Sequence, residues 1–345
     1  MEQTTEKQRW GIHRLLFVLI VVGNIIGAML IKPILPHIQL PAEPISGKLF
    51  TFLNQDFHLT NTLLATGIAY IFILLVAFFI RRQLKQGKMV LDGFSGVFAA
   101  LLEMLYSLTE TTAGKYAKRI FPWFATIFLI VLVANWMELF PGVDSIGILH
   151  HDDHGYPIQE GEFLGIRFAT LVESDGAHGA AGEHEAELYG LYPFIRAAAT
   201  DLNFTVGLAL ISVSVTQIFG LIVLGSRYLV KYVNVSGLWK SFKKPGFGNP
   251  LDFILALVNF AVGLLEVVSE TSKIISFAFR LFGVIFAGQV LLFVIGTLVP
   301  YFVQAPFYLL ELFFGALQAF VFGMLTMVFM VGATHAHGDH AEEHH

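Results

Sequence analysis

A permanent positive charge stands in the middle of an apolar run. Arg280 lies within Ser276-Phe277-Ala278-Phe279-Arg280-Leu281-Phe282-Gly283, and apolar sequence continues to Pro300. A central arginine costs roughly 2.5 to 3.5 kcal/mol on insertion scales, and a guanidinium cannot escape that cost by losing its proton. It needs a carboxylate or an aqueous cavity beside it. Any carboxylate brought alongside is held ionised, so the residue can act as a charge barrier and as a deprotonating electrode. Between residues 251 and 330 the charged side chains are Asp252, Glu266, Glu270, Lys273, Arg280 and Glu311, and each needs a physical reason in so apolar a stretch.

Spacing supplies one reason. At ~100° per residue, Glu266, Ser269, Lys273, Ser276 and Arg280 share one sector of a single helix, followed there by the small residues Gly283 and Ala287. Such residues let another helix approach closely. Gln304, Glu311 and Gln318 recur every seven residues, which keeps them on one face of a second helix. Gln289 is nine residues beyond Arg280 and so points about 180° away from it. The pattern predicts two water routes, one along Glu311 and Gln289 from outside and one along Glu266 to Ser276 from the cytoplasm, separated by Arg280. The plainer readings are that Glu266, Glu270 and Lys273 occupy the interfacial end of the helix, where their heads reach water, and that Arg280 is paired structurally inside a bundle.

These residues require membrane helices to hold them. The chain has 345 residues, 55% of them hydrophobic and only 14% charged, with a mean hydropathy of +0.69. That composition excludes an ordinary soluble domain and predicts an all-α, polytopic membrane protein. Six spans are expected, at about 15–34, 60–80, 121–141, 203–225, 253–297 (one long or broken segment) and 305–332. The first follows Lys7, Arg9 and Arg14 and is read as a retained anchor. Apolar residues at helical spacing between 91 and 119, including Phe94, Val97, Phe98, Leu101, Leu105 and Leu108, predict an amphipathic helix on the membrane surface. A soluble hairpin packed on the other spans is the alternative.

Arg81, Arg82, Lys85 and Lys88 after the second span, and Arg227, Lys231, Lys240, Lys243 and Lys244 after the fourth, place those loops in the cytoplasm. The loop of about 142–195 carries Asp144, Asp152, Asp153, Glu160, Glu162, Glu173, Asp175, Glu183, Glu185 and Glu187 against a lone Arg167, so it belongs outside. Both termini are then cytoplasmic. The expected divisions are 1–40 (tail and extra anchor), 41–141 (two membrane helices with the surface helix between), 142–196 (acidic, His-bearing external loop), 197–334 (helices bearing the ion-path residues) and 335–345 (His/acid-rich tail).

With no cysteine and a net charge of -5, disulfides and thiol chemistry are excluded and nucleic acid is not an expected partner. Neither a phosphate-binding Gly-rich loop nor a His-Glu-x-x-His helix is present. His150, His151 and His154 with Asp152 and Asp153 form one imidazole cluster, and His178 and His184 follow in the same loop. His335, His337, His340, His344 and His345 form a second cluster. Zinc binding is chemically open to such groups, but solvated segments are the simpler reading, and neither a metal nor a cofactor is assigned.

Glu266-Val267-Val268-Ser269, Ser272-Lys273-x-x-Ser276, Arg280-Leu281-Phe282-Gly283 and Phe286-Ala287-Gly288 resemble subunit a of the F-type ATP synthase. Leu317-Gln318-Ala319-Phe320, Arg196 with Asp201-Leu202-Asn203-x-Thr205, and Asn135-Trp136-x-Glu138-Leu139-x-Pro141 add to the resemblance, which covers roughly 60–334. It implies a stator subunit of a bacterial cell membrane, facing a ring of c subunits, with peripheral-stalk b subunits, the remaining synthase subunits and lipid as neighbours. It implies that Arg280 is the essential arginine, Gln318 its polar partner, Glu311 and Gln289 the outer half-channel pair, and Glu266 the cytoplasmic-side acid. Glu138 is expected to assist the outer relay, and Ser269, Lys273, Asn203, Asp201 and Arg196 to support the paths. Two tilted helices curving along the ring are also implied.

The chain departs from the family pattern at Val284, where Asn is usual, at Ile274, where Pro is frequent, and at Gln289, which cannot exchange protons as a Glu or His can. The transported ion is expected to be the proton, with sodium left open. The alternative functions are a secondary transporter or ion channel using Arg280 as a substrate site, for which inverted repeats are missing, and a metal transporter, for which the spans lack His/Asp pairs.

Overall fold

The computed structural model describes residues 41–52, 55–86, 93–163, 166–172, 188–225, 228, 232, 250–298 and 304–334, with scattered positions between 15 and 26. The expected anchor therefore lies largely outside the described residues. So do Lys88, Arg227, Lys231, Lys240, Lys243, Lys244, His178, His184, the acids from Glu173 to Glu187, and the C-terminal histidines.

Six helices are described: α1 (Asn61–Lys85), α2 (Gly93–Ala113), α3 (Ala117–Trp136), α4 (Leu202–Leu224), α5 (Pro250–Leu298) and α6 (Ala305–Gly332). Short 3-10 turns at Gly114–Tyr116 and Met137–Leu139 precede and follow α3. Among the described residues five helical stretches are long and apolar enough to cross a membrane, α2 and α3 counting together as Gly93–Leu139. The chain is thus a multi-pass membrane protein. The predicted segment 253–297 is one unbroken helix of 49 residues. At ~1.5 Å per residue it runs on the order of 70 Å, well beyond the ~30 Å hydrocarbon thickness, so it must tilt or project.

The strands were not anticipated. β1 (Pro44–Phe52) pairs with β2 (Gln55–Thr60), β4 (Gly147–Tyr156) with β7 (Tyr189–Pro193), and β5 (Ile158–Phe163) with β6 (Ile166–Leu171), each as an antiparallel two-stranded ribbon. β3 (Pro141–Asp144) joins none of these ribbons. The ribbons sit in polar sequence before α1 and between α3 and α4, where backbone groups without a helix still need partners.

The chain forms two compact units. The first contains the described residues of Met1–Gly67, Ala134–Thr200 and Val284–Ala316. There the end of α3 is fastened to α6 by two hydrogen bonds: Asn135 Nδ2 donates to the Gly315 carbonyl at 2.9 Å and Trp136 Nε1 to the Leu312 carbonyl at 3.0 Å. An added Cβ at Gly315 would stand 3.3 Å from both side chains, so glycine permits the approach.

The second unit contains the described residues of Ile68–Val133, Asp201–Gly283 and Leu317–His345. Its core includes the fully buried Ile120, Phe124, Val131, Leu281, Phe322, Met327 and Met330. In lipid, apolar surface alone gives helices no reason to associate, so close packing and interhelical hydrogen bonds must do it. Gly323 brings α6 against the Phe124 ring, which an added Cβ would meet at 2.9 Å. The Ser212 and Thr326 hydroxyls hydrogen bond at 2.7 Å between α4 and α6. Phe277 packs on Phe322 and Phe329 with ring centroids 5.1 and 5.6 Å away.

Candidate functional site

In α5 the burial pattern divides the helix by face. Phe277, Ala278, Leu281, Ile285, Gly288, Gln289 and Leu292 are buried. Ser276, Arg280, Gly283, Val284, Ala287, Leu291 and Val294 are exposed, and at ~100° per residue they share one sector centred on Arg280. The guanidinium therefore lies on a face that no described residue covers. Among the described residues no carboxylate pairs with it. Ser276, Gly283 and Ala287 on that face are small, so a second helix could come close to the charge.

The stripe below Arg280 is only partly as expected. Ser269 and Ser276 are exposed, and Glu266 is half-buried. Lys273 is turned aside: its Nζ donates to Glu270 Oε1 at 2.8 Å and lies 4.7 Å from the centre of the Phe329 ring. Gln318 is buried, but it makes no hydrogen bond to Arg280, and its Nε2 has no hydrogen-bond partner. Asp201 caps α4, its Oδ1 accepting from the Asn203 backbone N–H at 2.9 Å, while the Asn203 side chain is exposed. Tyr228 and Tyr232 both donate to Gln217 Oε1, at 2.7 and 2.6 Å.

The first unit gathers the acids. Glu311 is 5% exposed, and its carboxylate lies so close to the Gly288 backbone that a Cβ there would overlap it. Two turns earlier, just before α6, Gln304 Nε2 donates to the Leu292 carbonyl at 3.2 Å, and Gly296 leaves room for its amide. The seven-residue spacing thus does place Gln304 and Glu311 along α5. Glu138, in the turn after α3, is 8% exposed, and neither carboxylate oxygen has a hydrogen-bond partner. It lies within electrostatic reach of Glu311, Asp144 and Arg196.

Gln289 is buried and faces away from Arg280, as its spacing requires. Its hydrogen bond, however, goes to an acid that no local pattern distinguishes from the others between α3 and α4. Gln289 Nε2 donates to Asp144 Oδ2 at 2.8 Å, while Asp144 Oδ1 is buried without a partner. Asp144 adopts φ 60°, a left-handed conformation that Asp tolerates better than most residues. The turn leading to it contains Gly142 at φ 97°. Its backbone N–H donates to the Ile195 carbonyl at 3.0 Å, which ties it to the residue before Arg196. Burial pushes the Asp144 carboxyl up to about 6, against the opposing pull of the Gln289 hydrogen bond and the Arg196 charge.

Glu43 and Asn61 were also missed. Glu43 is 6% exposed, and Asn61 is fully buried at the start of α1. Asn61 Nδ2 donates to Glu43 Oε2, and the Glu43 backbone N–H donates to Asn61 Oδ1, both at 3.2 Å. Burial pushes Glu43 up to about 7; Arg196 opposes this, Asp144 adds to it, and the Asn61 hydrogen bond opposes it. Arg196 is itself buried, with Nη1 donating to the Pro41 carbonyl at 3.2 Å. A buried acid eighteen residues before α1 gives no local signal; only the fold brings it to Asn61 and Arg196.

Between α3 and α4, His150 stacks on Tyr192 with ring centroids 3.6 Å apart and lies 3.9 Å from Asp152. Among the described residues no three His, Cys, Asp or Glu side chains are grouped to hold a metal ion.

The first unit thus holds the acids Glu138, Asp144 and Glu311, and the second holds Arg280, exposed on its helix. The family described as ATP synthase A chain matches residues 62–331. ATP synthase subunit a of Mycobacterium bovis is 26% identical over 83% of the chain and 90% of its own length. That of Shewanella pealeana is 29% identical over 85% of the chain and 89% of its own. A sodium-ion-specific ATP synthase subunit a from Propionigenium modestum is 26% identical over 80% and 75%. Because the family match spans most of the sequence and the arginine helix lies inside it, the chain belongs to the ATP synthase A chain family, which serves an H+-transporting ATP synthase complex.

Proposed function

We propose that the chain is the ion-translocating stator subunit of an F-type ATP synthase, with the Arg280 face of α5 set against a ring of c subunits. The observation that carries the reading is the exposed Arg280 on a lipid-length apolar helix, flanked by Ser276, Gly283 and Ala287 and unpaired with any described carboxylate. A ring carboxylate is the counter-charge this face needs. An ion enters past Glu311, Gln289 and Glu138, neutralises that carboxylate, and leaves after nearly a full rotation along Glu266, Ser269 and Ser276. Gln318 supports the arginine helix from α6, and Lys273, Asn203, Asp201 and Arg196 hold the surrounding elements. Arg280 reionises each arriving carboxylate and blocks a direct leak, since a guanidinium does not release its proton at physiological pH.

The driving force is the electrochemical gradient, worth ~2.3 kcal/mol per charge per 100 mV for its electrical part. The proton is the ion this reading favours, because buried carboxyl groups line the path. The sodium-specific relative makes ion choice a property to be read with the ring's own binding site. The acidic loop faces the outer side of a bacterial cell membrane and both termini face the cytoplasm, following the basic residues Arg81, Arg82 and Lys85. Peripheral-stalk b subunits hold the chain still while the ring turns.

Arg280→Ala tests the reading in the assembled complex. ATP-driven ion pumping should be abolished while the complex still assembles. Full coupled pumping in that variant would overturn the assignment.

A further inference from the structure

The family pattern usually supplies an ionisable group where this chain has Gln289, and an amide cannot take up and release a proton. The fold places a carboxyl on that amide. We propose that Asp144 is a proton-exchanging residue of the outer path in this chain, standing in for the acid missing at Gln289; the proposal rests on the ion-translocating reading above.

The geometry supports it at each atom. Oδ2 is held by Gln289 Nε2 at 2.8 Å, which fixes the carboxyl against α5. Oδ1 is buried and accepts no hydrogen bond, so it is the atom left to bind a proton. A proton arriving from the outer water adds to Oδ1; on release it passes toward Glu138 and Glu311, and Asp144 returns to the carboxylate. No other bond forms or breaks. Glu138 lies within electrostatic reach of both Asp144 and Glu311, which makes it the next acid in the same unit.

The backbone argues that this placement is specific. Asp144 is held at φ 60° by the turn after Pro141 and by its N–H bond to Ile195. A residue with a positive φ on a loop commonly marks a positional requirement. The groups facing it are Gln289 from α5, Arg196 from the segment after β7, Glu43 from the segment before β1, and Glu138 from the turn after α3. Burial opposes the ionised form, whereas the Gln289 hydrogen bond and Arg196 favour it. The resulting value of about 6 leaves the group able to change state near neutral pH.

The test uses the intact synthase in proteoliposomes, with proton-driven ATP synthesis measured against the pH of the outer-face compartment. Asp144→Asn keeps an acceptor for Gln289 and tolerates the positive φ, but it cannot exchange a proton. Synthesis should fall on the order of tenfold or more at neutral pH, and the inflection near pH 6 should disappear. Adding Gln289→Glu to Asp144→Asn should restore the rate by returning an acid to the site. A wild-type rate and pH profile in Asp144→Asn would overturn the proposal. So would a defect that Gln289→Glu fails to rescue, because Asp144 would then serve only to hold the turn. Arg280→Ala in the same vesicles separates the two levels: loss of coupled transport there, together with an unaffected Asp144→Asn, refutes the relay and leaves the translocation reading standing.

Discussion

Gly288→Ala offers a way to move one acid without unfolding the helices around it. An alanine in a helix interior is normally favoured over glycine by ~1 kcal/mol. Here the new methyl would overlap the Glu311 carboxylate, with Oε2 met first and even the farther Oε1 only 2.5 Å away. Ordinary contact begins at 3.4 Å, so the carboxylate must retreat by on the order of 1 Å. It is the far end of a flexible side chain, and an off-rotamer shift costs about 0.5–1.5 kcal/mol. The two terms nearly cancel. Stability should therefore change by less than about 1 kcal/mol, while the acid is displaced by a distance that can reduce a proton-transfer rate by roughly 10- to 100-fold.

The assay is proton-driven ATP synthesis in proteoliposomes, accompanied by complex assembly on native gels and by the thermal unfolding midpoint. Gly207→Ala in α4 is the matched control, since an added Cβ there meets nothing within 4 Å. The expected result is near-normal assembly for both, near-normal synthesis for Gly207→Ala and a large loss for Gly288→Ala. Normal synthesis in Gly288→Ala would refute the argument that Glu311 must lie against the Gly288 backbone to pass an ion.

Two further outcomes follow from the packing. Glu43 is raised from 4.5 to about 7, so its contribution to stability is fully present below pH 4.5 and is lost as pH rises through about 7. Glu43→Gln, which cannot ionise, should flatten the wild-type fall in unfolding midpoint between pH 5 and 8; an unchanged slope would show that Glu43 is not the group responsible. For the Ser212–Thr326 pair, a double-mutant cycle with Ser212→Ala and Thr326→Val should give a coupling of about 0.5–1.5 kcal/mol in unfolding free energy, the range of interhelical hydrogen bonds in membranes. Strict additivity would mean that the buried hydroxyls find equivalent partners when separated.

What the sequence disclosed depended on whether the signal was local. Long apolar stretches placed five described helices to within a few residues, because lipid forces the backbone to satisfy itself within each segment. The helical repeat also sorted α5 correctly, putting Arg280 and Gln289 on opposite faces. Partners were harder to read. Gln289 was expected to face Glu311 across two helices, yet its amide reaches Asp144 in a turn 145 residues earlier. Asn61 finds Glu43, and Asn135 finds the Gly315 carbonyl 180 residues away. No periodicity encodes such meetings. The ribbons were missed for a related reason: strands such as Gly147–Tyr156, rich in His and Asp, lack the alternation that marks a half-buried strand.

Gln289 and Arg280 also show why one substitution in the family pattern need not abolish a proton path. An ionisable side chain on the buried face of α5 could be supplied from α5 itself or from any loop that reaches it. The cost of the second solution is order: the loop must be fixed, and the carboxyl must be kept near neutrality in a buried setting. Both conditions are met at Asp144, through Gly142, the Ile195 carbonyl and the neighbouring Arg196. On the proposed reading no loop could replace Arg280 in the same way, because a barrier charge has to meet a moving carboxylate on the exposed face, which no described residue covers. A relay acid can therefore migrate between elements while the barrier charge stays on the helix.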